Sequence, residues 1–301
     1  MRVVVALGGN ALLKRGEPMT ADVQRMNVRK AAIALADLAR DHEIVVAHGN
    51  GPQVGLLALQ AAAYTDVDPY PLDILGAESV GMIGYLVEQE LTNAMAVGSK
   101  IATLLTQIEV ERDDPAFARP EKPIGPVYTR NEAAKANEAH GWPMVEEADD
   151  RWRRVVPSPL PARITQIETI RLLVEAGVTV ICAGGGGIPV ARDANGTLHG
   201  LEAVIDKDRA AGLLAKALDA DAFLMLTDVD AVYQGWGTPD SRPIRKIAPA
   251  ELDSRAFPAG SMRPKVEAAC DFANTGGLAG IGRLEEARAI LEGRQGTLVK
   301  L

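Results

Sequence analysis

Short runs of β-branched and other apolar residues recur along the chain, and most of them end in glycine before a helical pattern begins. The clearest predicted strands are residues 3–7, 44–47, 101–105, 178–183, 223–226 and 277–281. Strands that alternate with helices indicate a mostly parallel sheet with helices on both faces. A continuous apolar strand such as VVVAL fits a sheet that is buried on both sides. The pattern therefore predicts an α/β fold.

This alternation is interrupted between residues 115 and 161, a segment that we call the insert. The insert holds 8 of the 18 prolines and two of the three tryptophans. Because prolines exclude long helices, PIGPVY and RRVVPSP are predicted to be short strands or extended segments. Its apolar side chains can build a small core: Ile124, Val127, Tyr128, Trp142, Trp152, Val155 and Val156. We therefore predict that residues 1–301 form one domain and that residues 115–161 form a proline-rich lid subdomain inserted in it.

Composition and charge narrow the class of protein. With 47% hydrophobic and 24% charged residues, the bulk of the chain is expected to be globular. The net charge of −8 argues against a general nucleic-acid surface, although it allows a local basic pocket for a small anion. Cys182 and Cys270 are too few for a disulfide framework or a four-thiolate zinc site. The histidines show no ligand spacing, so no metal site is assigned.

Targeting signals are not predicted. No apolar stretch approaches the roughly 18 residues of a membrane span. The N-terminal apolar run is too short for a signal peptide and is broken by Gly8 and Gly9. We therefore expect a cytoplasmic protein with no membrane and no nucleic-acid partner.

Glycine-rich loops follow several predicted strands. They are Gly8-Gly9-Asn10, Gly49-Asn50-Gly51 and the run that begins with Gly184 and Gly185. Ligands of open parallel sheets bind beyond the carboxyl ends of the strands, and successive N–H groups at a helix start favour anions. Each loop alone could be only a tight turn, but their shared edge favours a phosphate site. The P-loop pattern is absent, and the glycines at 49, 51 and 55 miss the dinucleotide spacing by one residue.

Lysines stand at two predicted helix starts. Lys207 follows Asp206 and precedes Asp208, either of which could cap the helix, and Lys265 follows Pro264, a first-turn proline. A cation at the positive end of a helix is unfavourable unless an anion lies nearby. Both lysines could instead be solvated surface residues of little energetic weight. Together with the glycine loops they favour a site for a highly charged phosphate.

Other candidates are weaker when taken one at a time. Asp208 could orient Lys207 or hold a metal, or it could be a plain helix cap. Asp228 follows a buried strand at the ligand edge, where it could also be an ordinary turn residue. Lys122 is an isolated lysine in the insert, a position that is most often a surface site.

The combination of motifs resembles the carbamate kinases, a branch of the amino-acid-kinase superfamily. The similarity runs almost end to end through VVVALGGNALL, HGNGPQVG, YPLDILGAESVGMIGYLVEQEL, RPEKPIGPVYT, RRVVPSP, AGGGGIPV, LEAVIDKDRAAGLLA, LTDVDAVY and SMRPKVEAA. Many superfamily members carry a lysine shortly before the first glycine pair. This chain lacks it, as the carbamate kinase branch does. The resemblance implies a three-layer αβα sandwich with a mostly parallel, eight-stranded sheet, a protruding subdomain and a homodimer.

The resemblance also implies the chemistry. It is the transfer of a phosphoryl group between ATP and carbamate, with ADP and carbamoyl phosphate as products and Mg²⁺ as cofactor, commonly running toward ATP in arginine or ureido-compound degradation. The catalytic residues would be Lys122, Lys207, Asp208 and Lys265. Substrate and phosphoryl contacts would come from Gly8, Gly9, Asn10, Gly49, Asn50, Gly51, Gly184 and Gly185. The nucleotide side would hold Asp228, Tyr233, Met262 and Pro264.

Three positions depart from the pattern that the resemblance leads one to expect. Val127 stands for an aromatic residue, Leu160 for a lysine and Arg263 for a small residue. The first two could alter closure of the insert, and Arg263 could crowd the nucleotide site. Two alternatives stay open at this point: another small-acid or phosphate kinase of the superfamily, and a non-catalytic metabolite sensor on the same fold.

Overall fold

The computed structural model describes residues 1–9, 12–14, 16–64, 66–258 and 261–301. Its strands are β1 (Arg2–Leu7), β2 (Glu43–His48), β3 (Lys100–Thr103), β4 (Gln107–Glu109), β5 (Lys122–Tyr128), β6 (Met144–Ala148), β7 (Arg151–Val156), β8 (Arg163–Ile164), β9 (Val178–Ile181), β10 (Ile188–Arg192), β11 (Leu198–Gly200), β12 (Ala222–Thr227), β13 (Val232–Gln234), β14 (Arg242–Ile244), β15 (Lys246–Ile247), β16 (Leu278–Arg283) and β17 (Thr297–Val299). Its α-helices are α1 (Ala21–Ala39), α2 (Gly51–Ala63), α3 (Leu72–Ala94), α4 (Arg130–His140), α5 (Ile167–Glu175), α6 (Lys207–Ala217), α7 (Met262–Ala273) and α8 (Ala287–Leu291).

A mostly parallel sheet forms the centre of the molecule. Among the described residues it has eight strands in the order β15-β17-β16-β12-β1-β2-β9-β3. Its neighbouring strands are parallel except β16 and β17. In the middle of the sheet, Val5 pairs with Val46 on one side and with Leu224 on the other. The predicted α/β class with a parallel sheet is confirmed. No helix in the described ranges is long and apolar enough to cross a bilayer.

Helices cover both faces of this sheet, which gives the αβα sandwich. Val3, Val5 and Leu7 point to one face, where they pack with residues of α1, α3 and α8. Val4 and Ala6 point to the other face, where they pack with residues of α5, α6 and α7. Side chains alternate across a strand, so a strand buried on both faces needs apolar residues at every position. That requirement explains the unbroken run VVVAL.

The insert forms an antiparallel sheet in the order β5-β7-β6, with α4 between β5 and β6. The prediction that prolines exclude long helices from this segment is wrong. No proline lies between Pro126 and Pro143, so the 11 residues of α4 have room to form. The helix begins with a capping box between Thr129 and Glu132 and ends at Gly141 in the left-handed conformation.

Two of the apolar residues that were expected in a core of the insert pack against the main domain instead. Ile124 and Val156 are buried against residues of the main domain: Val54, Ala58, Leu72, Leu75 and Val204. Val127, which was expected in the small core, is exposed. The insert therefore owes much of its buried apolar surface to docking on α2 and the start of α3.

A glycine pair makes this docking close. Strand β5 approaches α2 so tightly that a Cβ atom on Gly55 would overlap the backbone of Gly125. Gly125 itself has a φ of +72°, a conformation that side-chain-bearing residues rarely adopt. Two backbones can approach to this distance only where neither carries a side chain.

We expect Gly55→Ala to lower the free energy of unfolding by about 1–3 kcal/mol, the cost of overpacking a tight contact. Equilibrium unfolding in urea measures this change. Gly76→Ala is the matched control, because Gly76 lies in α3 with nothing within 4 Å of an added Cβ atom. A glycine-to-alanine change in an open helix should be neutral or slightly stabilising. Equal stability of the two variants would contradict the tight contact.

Candidate active site

The glycine-rich loops meet because the strands that lead into them are neighbours. Strands β12, β1, β2 and β9 lie side by side in parallel, so their carboxyl ends share one edge of the sheet. The N–H group of Gly8 donates to the carbonyl of Leu226 at 2.8 Å. A Cβ atom on Gly49 would lie 3.3 Å from both the Gly9 nitrogen and Cδ of Lys207. Glycine at position 49 thus lets two loops and a lysine side chain come together.

A cavity of about 660 Å³ opens at this edge. It is lined by the first residues of α2, α6 and α7, namely Gly51, Lys207 and Met262. Helix N-termini present N–H groups and the positive end of the helix dipole, so their convergence favours an anion. Most of the sequence-predicted residues line the cavity: Gly8, Gly9, Gly49, Asn50, Gly51, Lys122, Gly185, Lys207, Asp208, Asp228, Tyr233, Met262 and Lys265.

Two of the predicted residues that the structure describes do not reach the cavity. Gly184 is buried beside the ring of His48, where an added side chain would overlap the imidazole. Pro264 belongs to the first turn of α7 but is absent from the cavity wall. Asn10 lies outside the described residues.

Asp208 is the buried centre of the charged residues in the cavity. Its Oδ1 accepts from Lys207 Nζ at 2.8 Å, and its Oδ2 accepts from Lys265 Nζ at 2.7 Å. Burial alone would raise the pKa of this carboxyl, but the two ammonium groups outweigh burial and lower the pKa well below its usual range. Asp208 is therefore ionised at neutral pH, and it links α6 to α7.

The two lysines are buried with it. The side chains of Lys207 and Lys265 are 14% and 13% exposed, and that of Asp208 is 3% exposed. Burial lowers the pKa of Lys207. For Lys265, burial also acts to lower the pKa, but the Asp208 carboxylate outweighs it and raises the pKa. The alternative that these lysines are solvated surface residues is therefore wrong.

Asp206, not Asp208, caps helix α6. Its Oδ1 accepts from the N–H groups of Asp208 and Arg209, at 3.0 and 3.3 Å. Its Oδ2 accepts from Lys122 Nζ of the insert at 2.6 Å. The sequence presented Asp206 only as a possible cap, because nothing local to it signals a partner 84 positions away.

The other end of the cavity is aromatic. The rings of Tyr233 and Trp236 meet edge to face, with centroids 5.1 Å apart. The hydroxyl of Tyr233 donates to Asp230 Oδ1 at 2.9 Å, and Arg245 pairs with the other oxygen of Asp230 at 3.4 Å. Trp236 was missed in the sequence, although an aromatic residue in a polar, glycine-containing loop is a usable signal. Asp228 lies on the same side and accepts from the hydroxyl of Thr227 at 3.0 Å.

The residues that depart from the family pattern lie off the cavity wall. Arg263 donates to the carbonyls of Phe257 and Arg255, at 3.0 and 3.3 Å, and does not line the cavity. The side chains of Val127 and Leu160 are exposed. The expectation that Arg263 could crowd the nucleotide site is therefore wrong.

No resident metal site is formed by the residues that the structure describes, since no three His, Cys, Asp or Glu side chains come together. Both oxygens of Asp208 are engaged by lysines, and both oxygens of Asp206 are engaged by the α6 cap and by Lys122. The donor set thus does not fit a protein-held divalent ion.

The site combines helix starts that favour phosphate with buried lysines, at the edge of an αβα sandwich. These features indicate a protein that binds phosphorylated ligands. Residues 1–281 match the family model described as the amino acid kinase family, and the chain belongs to that family. Within it, the chain is 54% identical to a carbamate kinase of Rhizobium meliloti in an alignment of 302 positions that covers 99% of this chain and 93% of that protein. A carbamate kinase of Haemophilus influenzae is also 54% identical, over 99% of this chain and 96% of its own length.

Solved structures agree with this comparison. The carbamate kinase from Giardia lamblia bound to AMP-PNP has a TM-score of 0.90 and 40% identity, covering 99% of this chain and 98% of its own. The resemblance to the carbamate kinases, inferred from the motifs, is confirmed.

Asp208→Asn should lower the free energy of unfolding by about 3 kcal/mol at neutral pH, because two buried ammonium groups lose their shared counter-charge. The pKa of Asp208 is lowered from 3.8 on folding, so its stabilisation is complete above pH 3.8 and is lost as pH falls below it. Urea unfolding of wild type and variant across pH measures the difference. Asp271→Asn, an exposed carboxyl on α7, is the control and should show little change. A difference that does not shrink in acid would contradict this assignment.

Proposed function

We propose that this protein transfers a phosphoryl group between ATP and carbamate, with ADP and carbamoyl phosphate as the other pair of ligands. The observation that carries the proposal is the convergence of the N-termini of α2, α6 and α7 with Lys122, Lys207 and Lys265 on one cavity. Helix starts and lysines are the groups that bind and stabilise phosphate oxygens. The similarity to named carbamate kinases, one of them bound to AMP-PNP, supports the choice of substrates.

The reaction needs no protein nucleophile. A carbamate oxygen attacks the γ-phosphorus of ATP in line, the new O–P bond forms, and the bond to the ADP oxygen breaks. The protein has to hold both ligands in line and neutralise the charge on the phosphoryl oxygens. The described residues that line the cavity agree with this mechanism. They include lysines and helix starts, which bind phosphate, and no cysteine or histidine, the usual nucleophiles and bases.

Nearby groups that could act as nucleophile or base are held inactive. Burial raises the pKa of the Cys182 thiol to about 12, so it is no thiolate at neutral pH. Burial also lowers the pKa of His48 to about 4, which keeps the imidazole neutral. Its Nδ1 donates to the carbonyl of Gly49 at 3.0 Å, so His48 supports the loop and does not face the cavity.

In this proposal each side of the cavity has its own task. Lys207 and Lys265 hold the transferred phosphoryl group, and Asp208 fixes their ammonium groups. The glycine loops approach the same phosphoryl oxygens and carbamate with the N–H groups that the sheet does not use, since those of Gly8 and Gly49 already donate to Leu226 and Leu7. Tyr233 and Asp228, with Met262 and Trp236, form the nucleotide side. Lys122 reaches the carbamoyl end from the insert, which acts as a lid that excludes water from a labile acyl phosphate.

The proposal also covers the metal ion, the oligomeric state and the direction of the reaction. Mg²⁺ would arrive with the nucleotide, held mainly by phosphate oxygens, since Mg²⁺ commonly binds through substrate phosphates. The protein would be a cytoplasmic homodimer that works toward ATP in arginine or ureido-compound degradation. The sensor alternative is disfavoured because Lys122, Lys207 and Lys265 all line the cavity.

The proposal predicts ATP formation from ADP and carbamoyl phosphate, measured by a coupled assay, with acetyl phosphate as the comparison substrate. Lys207→Ala and Lys265→Ala should each lower kcat by about two to three powers of ten, the effect of losing one preorganised charge donor. Lys216→Ala is the matched control, since Lys216 is an exposed lysine on the same helix as Lys207. Near-normal turnover in either buried-lysine variant would contradict their assignment.

Lys122→Ala should impair the use of carbamoyl phosphate while leaving ADP affinity nearly unchanged, because the lysine belongs to the insert and not to the nucleotide side. Steady-state kinetics give the first quantity, and calorimetric titration with ADP gives the second. If ADP binding weakened as much as turnover fell, Lys122 would belong to the nucleotide site and the lid role of the insert would be wrong.

A further inference from the structure

One carboxylate joins the insert to the phosphate end of the cavity. Asp206 uses Oδ1 to cap α6 and Oδ2 to accept from Lys122 Nζ at 2.6 Å. Its side chain is 13% exposed, and that of Lys122 is 31% exposed. Asp206 lies directly before Lys207, the first residue of α6. The carboxylate that binds Lys122 and the buried Lys207 therefore belong to the same helix start.

The contact leaves Lys122 able to bind a ligand. An ammonium group has three N–H donors, and Asp206 takes one of them. The rest of the docking surface does not hold the ammonium: around Gly55 and Gly125 it is backbone and apolar groups, and another ion pair there joins Arg154 to Glu202 at 3.9 Å. A long lysine side chain has many rotamers, and an ion pair at its tip selects among them.

We propose that Asp206 is a positioning residue that sets where Lys122 stands in the cavity and, through the same ion pair, holds the start of β5 in place, a role that rests on the proposed function. Asp206 touches no reacting atom in this scheme. It acts through Lys122, which it aligns with Lys207 and Lys265 before substrate arrives. The charge of the carboxylate matters because a neutral amide in its place would hold the ammonium more weakly.

The charge state of Asp206 agrees with this role. Burial acts to raise the pKa of its carboxyl, but the ammonium of Lys122 is the main group that opposes burial, and the pKa is lowered overall. Asp208 works in the raising direction and Lys207 in the lowering direction. Asp206 is therefore ionised throughout the neutral range.

Asp206→Asn is the informative variant. Asn caps helices about as well as Asp, so α6 should keep its cap while the ion pair is lost. We expect kcat/KM for carbamoyl phosphate to fall about tenfold, the low end of the effect of one close charge pair, because this pair is only partly buried. The calorimetric Kd for ADP and the urea midpoint should change little. Asp206→Ala, which removes cap and charge together, should lower the midpoint as well.

A double-mutant cycle separates positioning from any other role. In a Lys122→Ala background, Asp206→Asn should cost almost nothing further in kcat/KM, because the lysine that it positions is gone. An equal loss in both backgrounds would overturn the proposal and assign the effect of Asp206 to α6 alone. Asp271→Asn controls for the removal of a carboxylate elsewhere on the chain.

Hydrogen exchange of the unliganded full-length protein provides a readout that does not depend on activity. Asp206→Asn and Lys122→Ala should each speed the exchange of β5 and β7 amides to the same extent, and the double variant should not exceed either. Unchanged exchange in both single variants would overturn the proposal. If wild type failed to form ATP but this pattern held, the proposed function would be wrong while the tie between Asp206 and Lys122 stood.

Discussion

The cavity depends on the attraction between one buried carboxylate and two buried ammonium groups. Lys207 and Lys265 are 58 positions apart on different helices, and neither could be buried without a counter-charge. Asp208 supplies it to both at once. The same contacts draw the starts of α6 and α7 together, so the helix termini and the lysines face one point. A phosphoryl group that enters finds its cationic partners already held in place.

The sheet decides where this happens. Parallel strands place all their carboxyl ends on one edge, and the middle strands β12, β1, β2 and β9 are neighbours, so their loops have to meet. Glycines let the loops approach each other and the lysine stems without side-chain obstruction, as Gly49 does against Lys207. The sheet thus brings the glycine loops and helix starts to one edge, and the two lysines bound to Asp208 add the positive charge there.

The strand–glycine–helix pattern predicted the sheet and the glycine loops of the cavity wall, because strand ends and helix starts are local features of sequence. Tyr233 and Met262 were expected there only from the resemblance to the carbamate kinases. Asp206 could be expected only as a cap, since its partner Lys122 is brought to it by docking of the insert. Gly184 shares the glycine pattern but is buried behind His48 rather than facing the cavity. The high proline content of the whole insert does not reveal helix α4, because the prolines lie on either side of residues 127–142, which contain none.

The unequal burial of the ion pairs has a consequence for ionic strength. Dissolved salt screens charges over roughly 8–10 Å under ordinary conditions, and it acts mainly on pairs that water can reach. Asp208 and its lysines are shielded from solvent, whereas Lys122 is partly exposed where it meets Asp206. Concentrated salt should therefore loosen the tip of the insert well before it disturbs the phosphate end, so that substrate capture and phosphate affinity respond to salt independently.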